Sequence, residues 1–191
     1  ALPPLLLAFD AWLDNEEQPR PSRYLLAAGW FLVSMLCKSS AVMFPCTLLL
    51  HAFMIRGRLG RADLFRAVPF FAISLGLGIV ALWFQHNRAL QGAVIPLGGP
   101  LARIALSGAT LGFYAWKAIW PLPLLPIYPR WTIDPSAGWP FVPWLVLITA
   151  AAWLWVRRSE GARRALYGLG WSVCHLLPFV GFVPISFMRF T

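Results

Sequence analysis

Residues 24–55 form a 32-residue apolar run in which Lys38 is the only formally charged side chain. Drawn as one α-helix, the run would be about 48 Å long at about 1.5 Å per residue. The hydrocarbon core of a bilayer is only about 30 Å thick, so a single straight crossing leaves too much over. The run reads instead as a hairpin of two short helices, 24–37 and 41–55, with Lys38, Ser39 and Ser40 at the turn. A lysine at membrane depth is costly unless it reaches an interface or an anionic partner. Lys38 is therefore a candidate site for a phosphate group.

The rest of the chain carries the same signature. Hydrophobic residues make up 59% of it and charged ones 12%, where a water-soluble domain has about 45–50% and about 25%. This is the composition of an integral membrane protein, all-α and polytopic. The sequence opens at Ala1 against the apolar stretch 2–13 and stops at Thr191 after another, so it reads as an internal fragment of a longer polytopic protein. Cys37, Cys46 and Cys174 lie in apolar segments with no CxxC pair and no metal-ligand spacing, which makes them packing residues. The net charge of +9 does not describe a nucleic-acid surface. Eight of the sixteen Lys and Arg residues fall in the short loops 56–66 and 157–164, the positive-inside pattern of cytoplasmic loops.

With those two loops fixed in the cytoplasm, a topology follows. Residues 1–13 are a partial crossing, 14–23 a polar cytoplasmic connection, and 24–55 a hairpin whose turn at Lys38 faces outward. Residues 67–85 cross outward, 140–156 inward and 165–183 outward again. The segment 101–120 would reverse the charge rule if it crossed once. It also carries Arg103 and Lys117 and ends in Trp116 and Trp120, which favour the headgroup level. It reads as an interfacial or re-entrant helix on the outer side, with a full crossing as the alternative. Residues 121–143 hold seven of the seventeen prolines, and five of the eleven tryptophans lie between Trp116 and Trp144. Such proline density excludes regular helix and marks an aromatic-rich outer loop at the membrane surface. Gly92, Pro96, Gly98, Gly99 and Pro100 mark a second outer loop.

This topology gathers four polar clusters on the outer face: Lys38 with Ser39 and Ser40; Gln85, His86, Asn87 and Arg88; Tyr128, Arg130 and Trp131; and Arg189 with Thr191. Cations and hydroxyls converging at a lipid–water boundary suit a phosphate or diphosphate headgroup, which arginine binds as a fork and lysine as a point charge. The alternative is that Lys38, Arg88 and Arg130 snorkel and anchor helix ends. His51 and His175, inside apolar stretches, read as hydrogen-bonded core residues, and Lys117 as an interfacial anchor. Asp134, the one acidic residue placed outside, precedes Pro135 as turn-starting aspartates do. There is no carboxylate pair, no Ser-His-Asp arrangement, no Gly-rich phosphate loop and no metal-ligand set, so neither a catalytic constellation nor a cofactor is evident.

The string Leu36-Cys37-Lys38-Ser39-Ser40-Ala41-Val42-Met43-Phe44-Pro45 resembles a segment of polytopic glycosyltransferases of the GT-C superfamily. The nearer resemblance is to bacterial membrane proteins with tetratricopeptide repeats, related to the transmembrane and tetratricopeptide-repeat O-mannosyltransferases. Trp83-Phe84-Gln85-His86, the segment Tyr128-Pro129-Arg130-Trp131-Thr132-Ile133-Asp134-Pro135-Ser136 and the closing Met188-Arg189-Phe190 are also similar to strings of that group. The resemblance runs in order along nearly the whole chain. It implies a GT-C-like helical bundle in a bacterial inner membrane. It also implies transfer of a sugar from a polyprenyl-phosphate carrier to an acceptor protein or glycan on the extracytoplasmic side.

In such enzymes the acidic catalytic residues stand in a first large outer loop near the N-terminus, and the repeats follow the membrane region; neither lies within these 191 residues. What carries over is the site for the carrier phosphate. Lys38 would contact it, with Arg130 and Arg189 as companions and Ser39, His86, Arg88, Tyr128 and Asp134 as polar support. A divalent metal is compatible with this chemistry but has no ligands readable here. Two other functions remain open: a transporter or flippase of a lipid-linked anion, and a non-catalytic anchor for the repeats.

Overall fold

Prolines and glycines punctuate the chain, and helices fill the intervals between them. The computed structural model describes residues 2–89, 98–122, 125 and 133–179, and among these it is all-helical. The helices are α1 (Leu2–Glu17), α2 (Pro21–Cys37), α3 (Phe44–Arg56), α4 (Arg61–Phe84), α5 (Pro100–Ile119), α6 (Val142–Arg157) and α7 (Glu160–Leu176). Proline stands in the first turn of α2, α3, α5 and α6, where its missing N–H has no helical partner to lose. Gly57 ends α3 in the left-handed region (φ 69°), its N–H donating to the Phe53 carbonyl at 2.7 Å.

Among the described residues, three helices are long and apolar enough to cross a membrane: Ser39–Arg56, Arg61–Asn87 and Trp139–Arg157. The first includes the 3-10 turn Ser39–Met43 that leads into α3. The 20-residue α5, with Arg103 and Lys117, is not among them. The segment 165–183 expected to cross falls on α7, a short turn Leu177–Phe179 containing Pro178, and residues outside those described. Large apolar side chains face outward along the spans. On α4 these include Phe65, Leu75 and Val80, and on α6 Leu145, Val146 and Val156. Among its described residues α6 buries none. Apolar surface on this scale is a liability in water and suits hydrocarbon.

The chain divides into two compact units. The first joins Ala1–Trp83 with Tyr167–His175. Its core is a set of packed rings: Phe31 stacks on Phe44 at 4.9 Å between centroids, and Phe70 meets Trp12 edge-on and Phe31 and Phe44 at a tilt, at 5.3–5.9 Å. Ala8, Ala27 and Ala67 are fully buried beside them. In a bilayer, where lipid tails are as apolar as any core, small residues and close packing hold helices together. The buried stripe of α1 (Leu5, Ala8, Ala11 and Trp12) continues to Asn15. Helix therefore extends into the polar stretch expected to begin at residue 14, and the α1–α2 connection shrinks to residues 18–20. One face of α7 packs onto this unit: Trp171 meets Phe9 at 5.0 Å, Tyr167 meets His51 at 5.8 Å, and Gly170 gives room to Leu50.

The second unit comprises Phe84–Leu166 with Leu176–Thr191. Here α5 buries a seam of small residues, Ala105, Ser107, Gly108 and Ala109. The Pro140 carbonyl and the Trp144 indole press on Gly108, and Pro143 presses on Gly112. Trp144 Nε1 donates to the Ile104 carbonyl at 3.2 Å and to Ser107 Oγ at 3.3 Å. The Gly108-x-x-x-Gly112 spacing is the sequence signal of this close approach.

Candidate functional site

The first unit holds the break at Lys38. Helix α2 stops at Cys37, and Lys38 is extended (φ −163°, ψ 125°), its N–H still donating to the Ser34 carbonyl at 3.0 Å. The chain then tightens into the 3-10 turn Ser39–Met43 before α3 begins. Lys38 is exposed, Ser39 and Ser40 are half-buried, and among the described residues no carboxylate lies within ion-pair distance of the ammonium. The imidazole of His175, on α7, lies against the Ser40 backbone. That neighbour brings a polar ring to the turn, and nothing in the spacing of 40 and 175 announces it.

The remaining predicted site residues divide differently. In the second unit His86 is exposed on a π-helical turn Gln85–Ala89, which also carries the backbone of Arg88. Asp134, in the same unit, accepts from Ser136 N at 2.8 Å and from Ser136 Oγ at 2.7 Å, capping the turn Pro135–Ala137. The Ser136 hydroxyl first, then its N–H, holds the Asp134 carboxyl below its ordinary value. It is thus an ionised turn-former, engaged by its own neighbour. Lys117 donates to the Leu122 carbonyl at 3.3 Å and lies over the Phe113 ring, as an anchor does. Tyr128, Arg130 and Arg189 lie outside the described residues. Among the described residues no group of His, Cys, Asp and Glu is arranged to hold a metal.

A second polar cluster, which sequence reasoning missed, sits at the other end of the first unit. Arg56 Nη2 lies 2.6 Å from Asp63 Oδ1 and 3.3 Å from Glu16 Oε1, and Glu16 Oε2 lies 3.3 Å from His51 Nε2. Asp63 Oδ2 also accepts the Gly60 N–H at 2.9 Å, capping the start of α4. One arginine therefore ties α1, α3 and α4 together. The signal was faint: an acid at the end of one helix, and an Arg-Gly-Arg run ahead of Asp63.

Among the described residues, fold and site define an all-helical architecture with three helices long and apolar enough to span a membrane and an exposed lysine at a helix break. No protein-family model, no curated protein and no solved structure matches the chain.

Proposed function

We propose that this chain is part of the membrane region of a GT-C-like glycosyltransferase, and that Lys38 contacts the phosphate of a polyprenyl-linked sugar donor. The supporting observation is the exposed Lys38 at an extended helix break, uncompensated by any carboxylate among the described residues. Sugar transfer from such a carrier leaves negative charge on the departing phosphate, and a fixed cation there lowers the barrier. Ser39 and Ser40 supply hydroxyl donors beside the ammonium. Arg130 and Arg189 as companions, with His86, Arg88 and Tyr128 as polar support, are carried over from the resemblance alone. The base that deprotonates the acceptor belongs to the first outer loop of the complete enzyme, on the bacterial inner membrane's outer face.

The test is donor turnover by the complete enzyme carrying Lys38→Ala or Lys38→Gln. Loss of one charge-assisted hydrogen bond lowers turnover about tenfold to a hundredfold, with membrane insertion unchanged. Lys38→Arg retains more, because the charge survives while the fork fits the short turn less well. Turnover equal to wild type in the alanine variant makes Lys38 a helix-end anchor and removes the reading.

A further inference from the structure

We infer that the cytoplasmic end of the first unit carries a binding site for the phosphate headgroup of an anionic phospholipid, built by Arg20 and Arg66. An open groove of about 370 Å³ runs between the α1–α2 connection and the start of α4, lined by Asn15, Arg20, Tyr24, Leu25 and Arg66. Its walls are fixed rather than accidental. The Tyr24 hydroxyl donates to the Arg66 carbonyl at 2.8 Å, tying α2 to α4 across 42 residues of sequence. Asn15 Oδ1 accepts the Arg20 N–H at 3.1 Å. Arg20 stands between Pro19 and Pro21, and its extended backbone (φ −140°, ψ 133°) is the one a following proline imposes.

Charge decides the occupant. Glu16 and Asp63 both turn to Arg56, while Asp14 and Glu17, exposed on the last turn of α1, make no ion pair with Arg20 or Arg66 among the described residues. Arg23 donates to the Asp14 carbonyl. Among the described residues no ion pair engages Arg20 or Arg66, and both are exposed. Arg20 and Arg66 both line the groove, and two guanidinium groups turned to one phosphate diester would bind it as forks. The surroundings match the rest of a lipid molecule. Leu25, in the groove wall, is 68% exposed, and Phe65, next to Arg66 in the sequence, is 76% exposed. Tyr24 stands at the polar–apolar boundary favoured by interfacial aromatics. A basic pocket between membrane helices on the cytoplasmic side is the arrangement that selects anionic lipid headgroups. The inference is independent of the sugar-transfer reading, because it rests on neither Lys38 nor the outer loops.

The experiment is native mass spectrometry of the purified chain released from nanodiscs of mixed phosphatidylcholine and phosphatidylglycerol. The wild type should retain phosphatidylglycerol in preference to phosphatidylcholine. Arg20→Gln with Arg66→Gln should cut that retention about tenfold, while Arg58→Gln, a cation of the same loop region outside the groove, should leave it unchanged. A photoactivatable phosphatidylglycerol on the wild-type chain should label 19–25 and the first two turns of α4, a readout that needs no variant to fold. Retention unchanged in the double variant, equal loss in Arg58→Gln, or labelling spread evenly over the helices would overturn the site. Displacement of the lipid by soluble glycerol phosphate at equal concentration would overturn its assignment to a membrane lipid.

Discussion

Arg56 shows how much one side chain can carry when three helices end together. Its guanidinium serves Glu16 of α1 and Asp63 of α4 from the last turn of α3, where a cation also complements the helix dipole. Asp63 is only 7% exposed, so removing the cation strands a nearly buried carboxylate. Arg56→Gln should therefore destabilise the protein by about 1–3 kcal/mol, less than a fully buried pair because Arg56 itself is partly solvated. Asp63→Asn should cost less, since an amide oxygen can still accept the Gly60 N–H. Thermal unfolding in detergent measures both; equal losses in the two variants would locate the effect in the ion pair itself rather than in the stranded carboxylate. Lys38 is the opposite case, a cation to which no carboxylate among the described residues forms an ion pair.

At the scale of elements, α5 and α6 meet through glycine, and the contact can be broken by one methyl group. A Cβ on Gly108 would collide with the Pro140 carbonyl and stand 2.6 Å from Trp144 Cδ1, neither of which can swing away freely. Gly108→Ala should cost about 1–3 kcal/mol by overpacking, measured as a lowered unfolding midpoint. Gly170→Ala should be milder, because its nearest neighbour is the flexible end of Leu50. Helical character was legible in the sequence because prolines and glycines mark most of the boundaries. The stop at Cys37 coincides with the single charge of the 24–55 run. The length of α1 was not, since its last turn is held by burial of Asn15 and by contacts with residues far along the chain. The site was legible only in part. Lys38 declares itself by isolation, whereas His175 beside Ser40, the Arg56 network and the Arg20–Arg66 groove exist only once α1, α3, α4 and α7 have packed.

For the whole molecule, the side that each helix end faces turns on whether α5 crosses the membrane or lies at its surface. Its close contacts are with the Pro140 carbonyl, Pro143 and Trp144, all at or near the first turn of α6. A helix lying across the outer end of a span makes contacts of this kind, while one running antiparallel beside it would meet it along its length. Exposed Trp116, Trp120 and Trp139 cluster in the same stretch of sequence, as an interfacial belt requires. If α5 lies at the interface, the charge rule expects both basic loops, 56–66 and 157–164, on the cytoplasmic side; Arg157 lies over the Trp153 ring at 4.5 Å at the C-terminal end of α6. Cysteines introduced one at a time at Ser39, Asn87 and Ser136 should then react with a membrane-impermeant thiol reagent added outside, and one at Ser159 should not. The background must lack Cys37, Cys46 and Cys174, because Cys37 is exposed one residue from Lys38 and would report in place of the first site. Labelling of Ser159→Cys from outside would turn α5 into a full crossing. It would also put the second basic loop on the outer side, against the charge rule.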